Sequence, residues 1–125
     1  MDHYDPLLAP DPADWLAVEE GQRITLVVDY HEGARVKLPN HRVHAAIHVI
    51  VENQIAMGEE LPVRRVLDRL QNEGLDRHDA IHAIGSVLAE HLSDLLSTGT
   101  RRGDANEAYW AGLGRLTAHG WRRTR

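Results

Sequence analysis

The segment HRVHAAIHVIVENQ, residues 41–54, restricts what this chain can fold into more than any other stretch. Read as a helix advancing 100° per residue, it places His41, His44, His48 and Glu52 within an arc of about 80°. Val43, Ile47, Ile50, Val51 and Ile55 flank that arc on one side, and Ala45, Val49 and Ala56 on the other. Most of the circumference is therefore apolar, and the histidine stripe turns at least partly inward. Imidazoles beside a carboxylate are costly to bury unless they are paired or bound. Any fold that accepts this helix must bring partners to the stripe.

A second segment answers that need. GLDRHDAIHAIGSVLAEHL, residues 74–92, carries His78 and His82 one turn apart, beside an apolar stripe of Ile81, Ile84, Leu88, Leu92 and Leu95. Histidines at i and i+4 point the same way, the usual helical arrangement for two imidazoles on one metal ion. Gly85, Ser86, Ala89 and Ser93 share that face and leave room for a neighbouring helix or a ligand. Both pairs begin near a helix N-terminus, whose partial positive charge favours the neutral, metal-binding form of imidazole.

Composition narrows the chemistry. The 125 residues hold nine histidines and no cysteine, so any metal must be held by His, Asp or Glu. Disulfides, thiolate catalysis and iron–sulfur clusters are excluded. A net charge of −5 argues against a nucleic-acid surface, and no apolar run approaches the roughly 18 residues of a membrane span. The opening MDHYDPLLAPDPADW lacks the basic and apolar regions of a secretion signal, and the expected location is the cytoplasm.

The remaining patterns predict one all-α domain over residues 1–125, an irregular bundle of about five to six helices with two long central ones. Residues 1–10 form an extended arm, and Asp11-Pro12 starts a short first helix. The stretch from Glu19 to about Ala34 reads as helix rather than strand. Pro39-Asn40 opens the first histidine helix, which Gly58 closes. Pro62 starts a shorter helix that ends at Gly74, and Asp76 to Asp79 opens the second histidine helix to about Leu96. Residues 97–104 read as a loop. Asp104 caps a last helix through His119, and residues 120–125 form a basic tail.

The expected site is a transition-metal centre held by His44, His48, His78 and His82. Zinc is the first choice, with nickel or iron as alternatives, since imidazole suits several late divalent ions. Glu52 lies about 12 Å along the axis from His44, so it pairs with His48, orients a ligand or transfers protons, as the base of a small hydrolase would. His31, His41 and Asp79 are further candidates; His3, His91 and His119 are assigned to surface or packing. The competing reading is a non-catalytic interaction module with a hydrogen-bonded histidine core. The partner is a small molecule or a protein, and a homo-oligomer is compatible with the sequence. HDAIHAIG resembles the zincin HExxH, but Leu88 stands where a third histidine would, and an all-helical chain has no sheet to present a peptide.

The run LPNHRVHAAIHVIVENQ, followed about thirty residues later by GLDRHDAIHAIG, resembles the core of a small bacterial all-helical family known as a domain of unknown function. The matched features, over residues 38 to 95, are an Asn-containing helix start, H-x3-H, polar residues around Glu52 to Gln54, then Gly and H-[DE]-A-x-H. The resemblance implies a helical bacterial domain whose histidines belong together. It implies no reaction, cofactor or partner.

Overall fold

A computed structural model describes residues 1–33, 40–98 and 105–124. The described residues form seven α-helices and a 3-10 turn: α1 Pro12–Ala17, α2 Glu20–Gly33, α3 His41–Ala56, the turn Gly58–Glu60, α4 Val63–Asn72, α5 Arg77–Thr98, α6 Ala105–Arg115 and α7 Ala118–Arg123. The fold is all-α, with α3 and α5 as its long central helices. No described helix is long and apolar enough to cross a membrane.

Local chemistry sets most boundaries. The side chains of Asp11, Asn40 and Asp76 accept from the backbone N–H groups of Asp14, Val43 and Asp79, satisfying donors that the first turns of α1, α3 and α5 leave open. Gly58 and Gly74, with φ of 70° and 107°, take the left-handed conformation that follows α3 and α4. Pro39, expected with Asn40 to open α3, and most of the loop expected over 97–104 lie outside the described residues. Residues 97–98 belong to α5.

The C-terminal segment differs from expectation. The single helix predicted through His119 breaks at Leu116-Thr117, which raises the helix count, and the predicted basic tail is largely helix α7. Thr117 is extended and caps α7 through its hydroxyl, which accepts from Gly120 N–H. The break is held from outside. Arg69 on α4 donates to the carbonyls of Leu113 and Leu116, and Glu73 accepts from Ala118 N–H. Trp121 is half-buried, and Arg122 donates to Gly74 O.

Helix α3 divides two apolar clusters. Ala45 and Val49 pack with Tyr4, Trp15, Leu26 and Val27 from the N-terminal arm, α1 and α2. Val51 packs on the other side with Val66, Leu70, Ile81, Ile84 and Leu113 from α4, α5 and α6. Where α5 meets α3, a Cβ on Gly85 would stand 3.1 Å from Ile47 Cγ2, so the glycine permits this close approach.

Three consecutive polar residues, about 100° apart around α3, tie it to its neighbours on several sides. Glu52 takes Arg77 of α5 at 2.7 and 2.8 Å, and also accepts from the Tyr4 hydroxyl. Asn53 accepts from Trp15 Nε1 at 2.8 Å and from Arg23 at 3.0 Å. Gln54 accepts from Tyr109 Oη at 2.7 Å. Arg77 also donates to Pro6 O at 2.9 Å, so one guanidinium pins the arm, α3 and α5. Burial works to lower the Arg77 pKa, but the bond to Glu52 and its charge more than offset this and raise it.

Removing one partner of such a buried pair leaves an uncompensated charge. Arg77→Met is expected to lower unfolding stability by about 3–5 kcal/mol. The double variant Glu52→Leu/Arg77→Met should lose less than Arg77→Met alone. Urea unfolding of the unaltered chain, Glu52→Leu, Arg77→Met and the double variant checks this; simple additivity of the single losses would show the pair to be uncoupled.

Candidate metal centre

Five imidazoles from three helices converge between α2, α3 and α5. His31 comes from the last turn of α2, His44 and His48 lie one turn apart on α3, and His78 and His82 occupy the first turns of α5. The His31 ring centroid is 4.7 Å from that of His44, 5.4 Å from His48 and His78, and 6.1 Å from His82. His78 and His82 are 4.2 Å apart, and His44 and His82 4.9 Å. One ring nitrogen from each of His31, His78 and His82 lies within 4.8 Å of the others, so these three could hold a metal ion.

The expected residues His44, His48, His78 and His82 thus share one cluster, and His31 joins them at its centre. His41 makes none of these ring contacts. His3 and His119 are exposed, while His91 is buried and stacks on Tyr109 at 5.6 Å. Glu52 is 1% exposed and lies beside the cluster, but its position differs from that expected of a proton acceptor. Both carboxylate oxygens are engaged, one by Arg77 alone and the other by Arg77 and Tyr4.

The donor atoms are prepared for a cation. His31 Nδ1 lies 2.9 Å from Val27 O; a carbonyl only accepts, so Nδ1 carries a proton, and the neutral tautomer with this bond has its lone pair on Nε2. Such a backbone bond on the far nitrogen commonly orients a metal-binding histidine. His31 Nε2, His44 Nε2, His78 Nε2 and both nitrogens of His48 are buried, with no hydrogen-bond partner among the described residues. Each orphan costs about 1–3 kcal/mol.

The surroundings favour neutral rings. Burial and the neighbouring imidazoles lower the His44 pKa to about 4. Burial, with His82 and His78 next, holds His48 well below the usual histidine range. Burial and His31 also lower His78, against a raising influence from Asp76, Asp79 and Asp5. Aromatic rings wall the cluster. Tyr4 lies 5.6 Å from His48, and Tyr30 stands 5.2 Å from His31 and 5.6 Å from His78. Burial and the adjacent Glu52 charge raise the Tyr4 pKa, keeping it a phenol.

An open groove of about 470 Å³ leads to His44, His48 and His82 between α3 and α5. Val43, Ile47 and Ile81 line it, and Gly85, Ser86 and Ala89 give it width. The small residues on the His78–His82 face therefore serve both possibilities raised by the sequence: Gly85 admits α3, and Ser86 and Ala89 leave space.

Sequence reasoning missed Tyr4 and Arg77. Arg77 carried a signal, since positions 77, 81, 84 and 88 share one helical face and the arginine heads an otherwise apolar stripe. Tyr4 lies in an arm without periodicity, and nothing local marks it. No protein-family model, curated protein or solved structure matches this chain.

The depressed histidines set a pH dependence. A base whose folded pKa is lowered contributes stability that is complete above its unfolded value near 6.5 and is lost as pH falls toward the folded value. The metal-free protein should therefore lose thermal stability from about pH 6.5 downward, before most carboxylates titrate. His44→Gln should flatten that slope between about pH 6.5 and 5. Melting curves at a series of pH values read both effects, and parallel profiles would remove His44 as a source.

Proposed function

We infer that this protein binds a transition-metal ion, with His31, His78 and His82 as the donors and His44 and His48 beside them, leaving one position on the ion open. The observation that carries this reading is the convergence of the rings of His31, His44, His48 and His78, whose buried nitrogens have no hydrogen-bond partner among the described residues, while His31, His78 and His82 each bring one nitrogen within 4.8 Å of the others. Imidazoles that formed a hydrogen-bonded core would pair those nitrogens, so the geometry favours the metal over the interaction module. A cation would satisfy several orphans together. Membership of the small bacterial family with paired HxxxH motifs belongs to the same proposal and adds no reaction to it.

An all-nitrogen set suits zinc, nickel or iron, and zinc is our choice because it accepts tetrahedral imidazole ligation without a carboxylate. Glu52 has the role of an anchor. Its ion pair with Arg77 holds the first turn of α5 against α3 one turn beyond His48, so the two histidine rows stay in register. With both oxygens occupied it is not the base of a hydrolase, and the open groove makes the ion itself the reactive or ligand-binding group.

Elemental analysis of untagged protein, followed by zinc titration of the metal-free form, tests the proposal. Bound zinc should raise the melting temperature, and a chelator should remove the gain. His82→Ala and His31→Ala should each weaken zinc binding by at least about tenfold, whereas His119→Ala should not change it. Identical melting curves with and without chelator, in a protein that takes up no metal, would refute the assignment.

A further inference from the structure

The groove that reaches the imidazoles carries information about what the ion would bind. Apart from the histidines, its lining among the described residues includes no Asp, Glu, Lys or Arg, and its walls are largely apolar. His48 closes its inner end, 2% exposed and with both ring nitrogens unpartnered. The groove is thus an apolar channel ending on a buried donor.

Charge defines the head of the ligand. A divalent ion held only by neutral imidazoles leaves two positive charges in a poorly solvated place, and such charge demands an anion. Glu52 cannot supply it, because Arg77 already neutralises it. Asp5, Asp76 and Asp79, which act on His78, do not line the groove. The body of the ligand follows from the walls. Among the described residues no lysine or arginine lines the groove to meet a second anionic group, and a charged body would lose its water without compensation there. The volume lies within the range of ordinary small-molecule sites.

We propose that the groove between α3 and α5 binds an amphipathic monocarboxylate, its carboxylate on the metal and its apolar body along Ile47, Ile81 and Ala89. This rests on the metal reading above and names the ligand class of the same site. Ala89 is an exposed small residue at the groove wall about two turns beyond His82, and a larger side chain there would occupy the space of the body.

The experiment uses the full chain loaded with cobalt(II), whose visible absorption reports a change of ligand. Acetate, butanoate, hexanoate and octanoate are titrated in turn, with adipate as the doubly charged counterpart of hexanoate. Affinity should rise about two- to fourfold per added methylene, from the burial of each group, and adipate should bind more weakly than hexanoate. Ala89→Leu should weaken hexanoate by about tenfold while leaving cobalt uptake and acetate binding unchanged. Affinities independent of chain length, or adipate binding as well as hexanoate, would overturn the proposal and leave the metal site standing. Failure to take up cobalt would overturn the metal reading and this inference with it. Calorimetry of hexanoate with the metal-free protein supplies the last control: weak or absent binding supports a metal-bound head, and equal binding refutes it. The chain-length series on the unaltered chain decides the matter even where Ala89→Leu folds poorly.

Discussion

The buried pair between Glu52 and Arg77 is the interaction on which the rest of this structure depends. Two charges at 5% side-chain exposure or less are expensive to remove from water, and only near-complete bonding offsets that cost. Here the guanidinium donates to both carboxylate oxygens and to Pro6 O, and Tyr4 fills a further acceptor position. The bonding succeeds only when α3, α5 and the N-terminal arm are all in place. Hydrophobic packing between two helices tolerates sliding, but a forked ion pair does not. It therefore sets the register in which His44 and His48 face His78 and His82.

The same contact explains why the cluster has no carboxylate of its own. Glu52 follows His48 by one turn and would be a natural ligand, but Arg77 claims it. The imidazoles are left as a nitrogen-only group walled by Tyr4 and Tyr30, with His44 and His48 pushed by burial and mutual repulsion toward the unprotonated form. Neutral rings with inward lone pairs are poor material for a folded core and good material for a cation. The structure concentrates them where three helices meet and a groove opens to solvent.

Helix α3 owes its central position to the ordinary geometry of a helix. Glu52, Asn53 and Gln54 project about 100° apart, and each meets a different side of the molecule. A polar triplet near the end of an apolar helix would be unremarkable if it were solvated. Buried, it ties the arm and α5, then α1 and α2, then α6 to one helix, and the two apolar clusters pack on either side of it.

Much of this was legible in the chain itself. Periodicity, caps and glycines marked α2 to α5 to within a few residues, and the 100° rule placed His44, His48, His78 and His82 on inward stripes, because these are properties of neighbouring residues. The sequence by itself thus determined an all-α fold with paired imidazoles and without thiolates. Partner choice is a different matter, since it depends on residues distant in the chain. Glu52 lies 25 positions from Arg77 and 48 from Tyr4, and no local pattern links them. The break at Thr117 was decided likewise by Arg69 and Glu73, which bond the exposed backbone from another helix. His31 followed the same rule: its sequence neighbourhood left a ligand and a packed histidine equally open, and only the approach of α2 to both HxxxH rows placed its ring at their centre.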